Sequence, residues 1–129
     1  MSNWEIIDNK ELIEPEEVAA LFASAPWASD RTLEQIERML DCSDLAVLVL
    51  SGGKPVGFAR VLTDFIFRAF IEDVIVPPSF QGRGVGRQIV ERIETILPGV
   101  RLELTTNKFG FWRKMGFAPK DGHMVKELR

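Results

Sequence analysis

Residues 74–94, VIVPPSFQGRGVGRQIVERIE, run from an apolar β-type stretch through glycines at 82, 84 and 86 into a helix-like pattern, and the rest of the chain must choose among the loops built this way. Glycine lets the backbone come close to a ligand, and a helix that opens there offers unpaired N–H groups and the positive end of its dipole. An anion is the natural ligand of such a loop. The plain alternative is a flexible surface turn, with Arg83 and Arg87 as solvated residues at a helix start.

The flanking chain predicts what surrounds the loop. WEIID (4–8) reads as a short strand and PEEVAALFASA (15–25) as a helix with Pro15 at its first position, Val18, Leu21 and Phe22 at helical spacing, and Pro26 as its stop. SDRTLEQIERMLDCS opens on the capping candidates Ser29 and Asp30, and Leu33, Ile36, Met39 and Leu40 form one apolar face. LAVLVLS (45–51), a GGK turn and PVGFARVLT (55–63) predict a hairpin, with RAFIEDVIV (68–76) as the next strand. Val85, Ile89, Ile93 and Ile96 make a helical stripe that ends at Pro98-Gly99, and VRLELTT (100–106) alternates as a strand should. NKFGFWRKMGF fits a short helix leading to a last strand around HMVKEL. The order β-α-α-β-β-β-α-β-α-β predicts an α/β fold, a mixed sheet with helices on both faces.

With 129 residues, 46% of them hydrophobic, the chain suits one domain spanning 1–129 that buries roughly two thirds of its unfolded surface. Its 16 basic and 19 acidic residues give a net charge of −3, which disfavours nucleic acid while leaving room for a local anion site. Cys42 and His123 are the only residues of their types, so no intrachain disulfide and no Cys/His zinc cluster is expected. His123 is most simply a turn or edge-strand residue. The acidic start MSNWEIIDNKELIEPEE lacks the pattern of a signal peptide, and no stretch reaches the ~18 apolar residues of a membrane span. A soluble cytoplasmic protein without membrane attachment is the expectation.

Three phosphate loops compete. A dinucleotide-binding reading draws on the strand-loop-helix-strand order and on Glu103, which stands where a ribose-binding acid is wanted. Against it, the third glycine of G-x-G-x-x-G falls on Arg87, and PPSFQ separates the strand from the first glycine. The signature G-x-x-x-x-G-K-[ST] is absent. QGRGVG does match [Q/R]-x-x-G-x-[G/A] at Gln81, Gly84 and Gly86, after DVIVPPSF in the place of a strand ending in V-x-P. With FGFWRKMGFAP (109–119) and the element order, this resembles the GNAT superfamily of acetyl-CoA-dependent N-acyltransferases over nearly the whole chain.

The resemblance implies a mostly antiparallel mixed sheet of the GNAT type and an N-acetyltransferase that carries acetyl from acetyl-CoA to a primary amine by direct attack. It implies that Gln81, Gly82, Arg83, Gly84, Val85, Gly86 and Arg87 cradle the pyrophosphate, with Gly84 and Gly86 leaving it room. It also implies that the preceding strand is bulged and splayed, so that pantetheine lies along Val74, Ile75 and Val76, and a backbone N–H near Val74 stabilises the carbonyl oxygen. Asn107 matches a pantetheine-contacting position, though capping chemistry also suits it there. Glu72, two residues before Val74 and hence on its face, is the candidate base; Asp73 points the other way and is expected to pair with a basic neighbour.

The departure from the family is at the leaving group. Relatives place a tyrosine in the later helix to protonate the thiolate; here the aligned residue is Trp112, and the chain has no tyrosine. An indole N–H donates a hydrogen bond but is no usable acid, so Trp112 is expected to pack or to wall the cofactor tunnel. Phe22, Trp27, Arg31 and Phe67 are the candidates for the acceptor wall; core packing accounts equally well for the aromatics, and a solvated helix residue is the commoner part for an arginine such as Arg31. A catalytically impaired acetyl-CoA-binding module, for sensing or for partner binding, is the alternative to an enzyme. Relatives often form homodimers through sheet edges, and a homodimer is expected here. No metal is implied.

Overall fold

The computed structural model describes residues 3–120 and 122–128. Five strands lie in the spatial order of the chain: β1 (Trp4–Ile7), β2 (Leu45–Ser51), β3 (Lys54–Thr63), β4 (Arg68–Ile75) and β5 (Arg101–Glu103). The first three pairings are antiparallel and β4–β5 is parallel. Four helices, α1 (Pro15–Phe22), α2 (Leu33–Cys42), α3 (Val85–Ile96) and α4 (Phe109–Lys114), complete the fold.

Alternation along β2 explains why LAVLVLS reads as unbroken apolar sequence. Ala46, Leu48 and Leu50 pack with α1 and α2, whereas Val47 and Val49 pack with α3 and with Trp112 of α4. A strand covered on both faces has no polar side to show. Phe22 meets Phe58 edge-on at 5.9 Å in the first layer. Truncating a ring buried this way costs about 3–5 kcal/mol.

The second layer is set by a glycine. A Cβ on Gly57 of β3 would stand 2.5 Å from Cγ1 of Val85 and 3.1 Å from Cδ1 of Ile89, so α3 seats directly on the sheet there. That contact fixes the start of α3, and with it the glycine loop.

Several expected boundaries move. α1 ends at Phe22 rather than residue 25, and 3₁₀-like bonds from Ser24 to Leu21 and from Ala25 to Phe22 tighten the chain ahead of Pro26. The cap of α2 is Thr32, not Ser29 or Asp30: its hydroxyl accepts from Gln35 N while the Gln35 side chain accepts from Thr32 N. Lys10 Nζ closes the other end of α2, donating to the carbonyls of Asp41 at 2.8 Å and Ser43 at 2.7 Å.

The last expected strand is absent. Residues 122–128 form neither strand nor helix, and Met124, Val125 and Leu128 are exposed. β5 is also shorter than the predicted 100–106, because a strand needs a partner and β4 pairs with it only through Arg68–Phe70.

Candidate functional site: a glycine loop beside a bulged, diverging strand

Beyond Phe70 and Glu103 the parallel pair β4–β5 is no longer laddered, while β4 continues to Ile75 along β3. The β3–β4 register shifts where Val61 faces Ile71 and Arg60 faces Asp73, leaving Glu72 as the extra residue of a bulge. The bulge resets the pleat. Ile71 packs in the α3 layer, while Asp73, two residues on, is buried toward Arg31 and Phe22 on the α1–α2 side. Two-residue spacing across the bulge therefore does not by itself place Glu72 and Val74 on one face, as the sequence had suggested. Glu72 is exposed, and Val74 and Val76 are half-buried against the α3 layer.

After β4 the chain makes a 3₁₀ turn at Pro78–Phe80 and enters the loop. Gln81 Nε2 donates to the Val76 carbonyl at 2.9 Å, tying the loop to the strand it leaves. Gly82 (φ 77°) and Gly84 (φ 95°) are left-handed, a conformation that costs other residues about 1–2 kcal/mol. Gly84 is the N-cap of α3, and no side chain caps the helix. By helix geometry the first-turn N–H groups have no intrahelical partner.

The charges at this terminus are of unusual sign. Acidic residues suit a helix start, yet the first turn of α3 contains none, while Arg83 precedes it and Arg87 lies within it. Arg83 stacks on Phe80 at 4.3 Å, and Arg87 reaches Glu91 at 3.8 Å with both side chains more than half exposed. A Cβ on Gly82 or Gly84 would meet no atom within 4 Å, so the space before the loop is open. An uncapped helix start with two arginines and open glycines fits a pyrophosphate, and the part of β4 that β5 no longer pairs could offer its backbone to an extended chain such as pantetheine.

Gly86 also makes room within the fold: a Cβ there would stand 3.0 Å from Cζ of Phe111, so the glycine admits the α4 aromatic. Trp112 is 8% exposed and lies edge-on between Phe111 (4.9 Å) and Phe117 (5.2 Å), a packing residue. Asn107 is exposed, four residues beyond Glu103, the last paired residue of β5.

Of the four acceptor-wall candidates, three come together. Arg31 stacks over Phe22 (4.8 Å) and Trp27 (5.4 Å) and bonds Asp73 through Nη1 at 3.0 Å and Nη2 at 3.4 Å. Phe22 is buried beneath this stack, so it supports the wall rather than facing solvent. Phe67 stands apart, 72% exposed in the β3–β4 connection, whose backbone Asp64 organises by accepting from the N–H groups of Ile66, Phe67 and Arg68. Those bonds hold the Asp64 carboxyl below its ordinary 3.8.

Sequence reading missed Arg60, whose Nε donates to Asp73 at 2.6 Å; an arginine inside an apolar strand run was the available signal. Glu103, considered for a ribose, instead lies between Arg68 (3.6 Å) and Arg101 (3.2 Å). Two concavities lie away from the loop: one of about 390 Å³ lined by Leu62, Asp64, Arg68 and Glu103, the other of about 450 Å³ between the end of α3 and Met115–Ala118. Among the described residues no cluster of metal-ligating side chains occurs, and no helix is long and apolar enough to cross a membrane.

The family model described as "Acetyltransferase (GNAT) family" matches residues 8–117, and the chain belongs to that family. It is similar to serotonin N-acetyltransferase 2, chloroplastic, of Oryza sativa subsp. japonica, 38% identical over 97 residues, covering 68% of this chain and 48% of the relative. The peptidyl-lysine N-acetyltransferase YjaB of Salmonella typhimurium is 32% identical over 98 residues, covering 74% of this chain and 64% of that protein. The chain thus spans about half of the rice relative and just under two thirds of the bacterial one. Among solved structures, a GNAT family acetyltransferase from Streptococcus pneumoniae superposes with a TM-score of 0.77 at 26% identity, covering 98% of this chain and 99% of that one.

Proposed function

We propose that this chain is an N-acetyltransferase that carries an acetyl group from acetyl-CoA to a primary amine by direct attack. The observation that carries the reading is the uncapped start of α3, where left-handed Gly82 and Gly84 and the arginines 83 and 87 meet the end of diverging β4. Acetyl-CoA supplies the acyl group as a thioester. The chain's part is to hold the pyrophosphate on the N–H groups of residues 82–87 and to lay the pantetheine along Val74, Ile75 and Val76, with Asn107 beside it. A backbone N–H near Val74 stabilises the charge that grows on the carbonyl oxygen as the C–N bond forms and the C–S bond breaks. Exposed Glu72 accepts the amine proton, directly or through water.

The α1–α2 connection supplies the acceptor wall through Trp27 and Arg31, while Phe67 lies five residues before Glu72, roughly 16 Å along the strand. A primary amine is the acceptor class in keeping with relatives named for serotonin and for peptidyl-lysine. We place the reaction in a reducing aqueous compartment such as the cytoplasm, in keeping with the single cysteine. Pairing as a homodimer is the expected assembly, with the edge at three-residue β5 in place of the absent last strand. Light scattering at tens of micromolar tests that: a monomeric mass contradicts it.

One observation favours a second reading, a module that binds acetyl-CoA without turnover: Trp112, packed between two rings, stands where relatives hold an acid. Thermal shift and thiol release separate the readings. Acetyl-CoA raising the melting temperature while NAD and ATP do not, with thiol released against an amine panel, supports the enzyme. Binding without release supports the module, and equal shifts for all three ligands overturn both.

A further inference from the structure

Asp73 is the single carboxylate of a three-residue cluster. Its Oδ2 accepts from Arg31 Nη1 at 3.0 Å and Arg60 Nε at 2.6 Å, and its Oδ1 from Arg31 Nη2 at 3.4 Å. The side chains are 4% exposed for Asp73, 16% for Arg60 and 30% for Arg31. Among the described residues, no second carboxylate lies within 4.0 Å of either guanidinium. Two cations on one anion leave one positive charge without an anionic partner, and Arg31, the most exposed of the three side chains, presents it toward solvent where an anion can reach it.

The packing around the cluster says where that anion sits. Arg31 is clamped by the rings of Phe22 and Trp27, by Met39 Sδ at 3.6 Å and by Asp73, so its position is fixed and its outer side meets solvent beside Trp27, which is 57% exposed. A guanidinium has five N–H donors, and these contacts do not exhaust the fork. Asp73 adjoins Val74 directly after the Glu72 bulge, so the unmatched charge lies on the α1–α2 side of the reacting position.

We propose that Arg31 is a specificity-determining residue that recognises an anionic group, a carboxylate or a phosphate, carried by the acceptor amine. This rests on the acetyl-transfer reading and narrows its substrate class to amines bearing a negative charge close to the nitrogen. Arg60 holds Asp73 in place, so the carboxylate keeps a partner when Arg31 is replaced.

Matched pairs of acceptors test it: tryptamine against tryptophan for a carboxylate, ethanolamine against phosphoethanolamine for a phosphate. In the unmodified chain the anionic member of at least one pair is favoured about tenfold or more in kcat/KM, chiefly through KM, as a charge-assisted hydrogen bond gives. The favoured pair identifies the anion. Arg31→Gln brings that ratio close to one, whereas Arg38→Gln, which removes the same charge from the exposed side of α2, leaves it intact. Calorimetry of N-acetyltryptophan and N-acetyltryptamine with CoA present needs no turnover, and for a carboxylate site only the unmodified chain binds the anionic product tighter. Neutral members equal or better in both pairs, or a preference that survives Arg31→Gln, overturns the proposal. Failure to bind acetyl-CoA at all strikes the acetyl-transfer reading instead.

Discussion

Gly57 lies directly beneath Val85, the first residue of α3, with room for a hydrogen and none for a methyl group. Gly57→Ala therefore pushes α3 off the sheet at the end that forms the loop. The expected outcome is a loss of about 1–3 kcal/mol in denaturant unfolding, partly recovered by Val85→Ala in the same chain. Additive single losses in the cycle contradict the contact.

Gly84 separates strain from ligand contact. Its left-handed φ makes most replacements costly with or without a ligand, so Gly84→Asn, which tolerates that region, is the informative change. The melting temperature should fall little, while acetyl-CoA affinity should drop about tenfold or more, because the added side chain enters the space the pyrophosphate needs. Calorimetry reads both quantities.

Asp64 gives the fold a pH dependence of known sign. Its folded carboxyl titrates below 3.8 because three backbone N–H groups donate to it, so its contribution is fully present above 3.8 and disappears as pH falls through the lower folded value. The difference in melting temperature between the unmodified chain and Asp64→Ala should be constant above about pH 5 and shrink below about pH 4. A difference that does not change down to pH 2 contradicts this.

The proton carriers are tested by two variants. Trp112→Phe keeps the ring packing against Phe111 and Phe117 and should slow turnover less than ~10-fold, well short of the ~10²–10⁴ of a general acid. Glu72→Gln should cost more, and its rate should recover partly at high pH, where the amine is already deprotonated. A pH–rate profile in Glu72→Gln that keeps its acidic limb removes Glu72 as the base.

Much of this fold could be read from the chain because periodicity is a local signal. The covered strand at 45–51, the helical stripe of Val85, Ile89 and Ile93 and the glycine loop each declare themselves within a dozen residues. Features that depend on distant partners could not be read so. HMVKEL carries the apolar Met124, Val125 and Leu128 but forms no strand in the described residues 122–128, and VRLELTT is laddered to β4 only through Arg101–Glu103. The Glu72 bulge adds one residue to the ladder without any mark in the sequence, and so Ile71 and Asp73 fall on opposite faces where simple alternation puts them on one. That Asp73 would pair with a basic side chain was legible; that two arginines, one 42 residues away, would share it was not. Gly86 shows the same limit, since only the packed structure reveals Phe111 against it.

Amide chemical-shift mapping during a titration with acetyl-CoA locates the bound cofactor residue by residue. The largest shifts are expected on the N–H groups of residues 82–87 at the start of α3 and on Val74, Ile75 and Val76 at the end of β4. Shifts confined to the concavity at Asp64 and Arg68, or to the one between the end of α3 and Met115, with residues 82–87 unmoved, would contradict that placement.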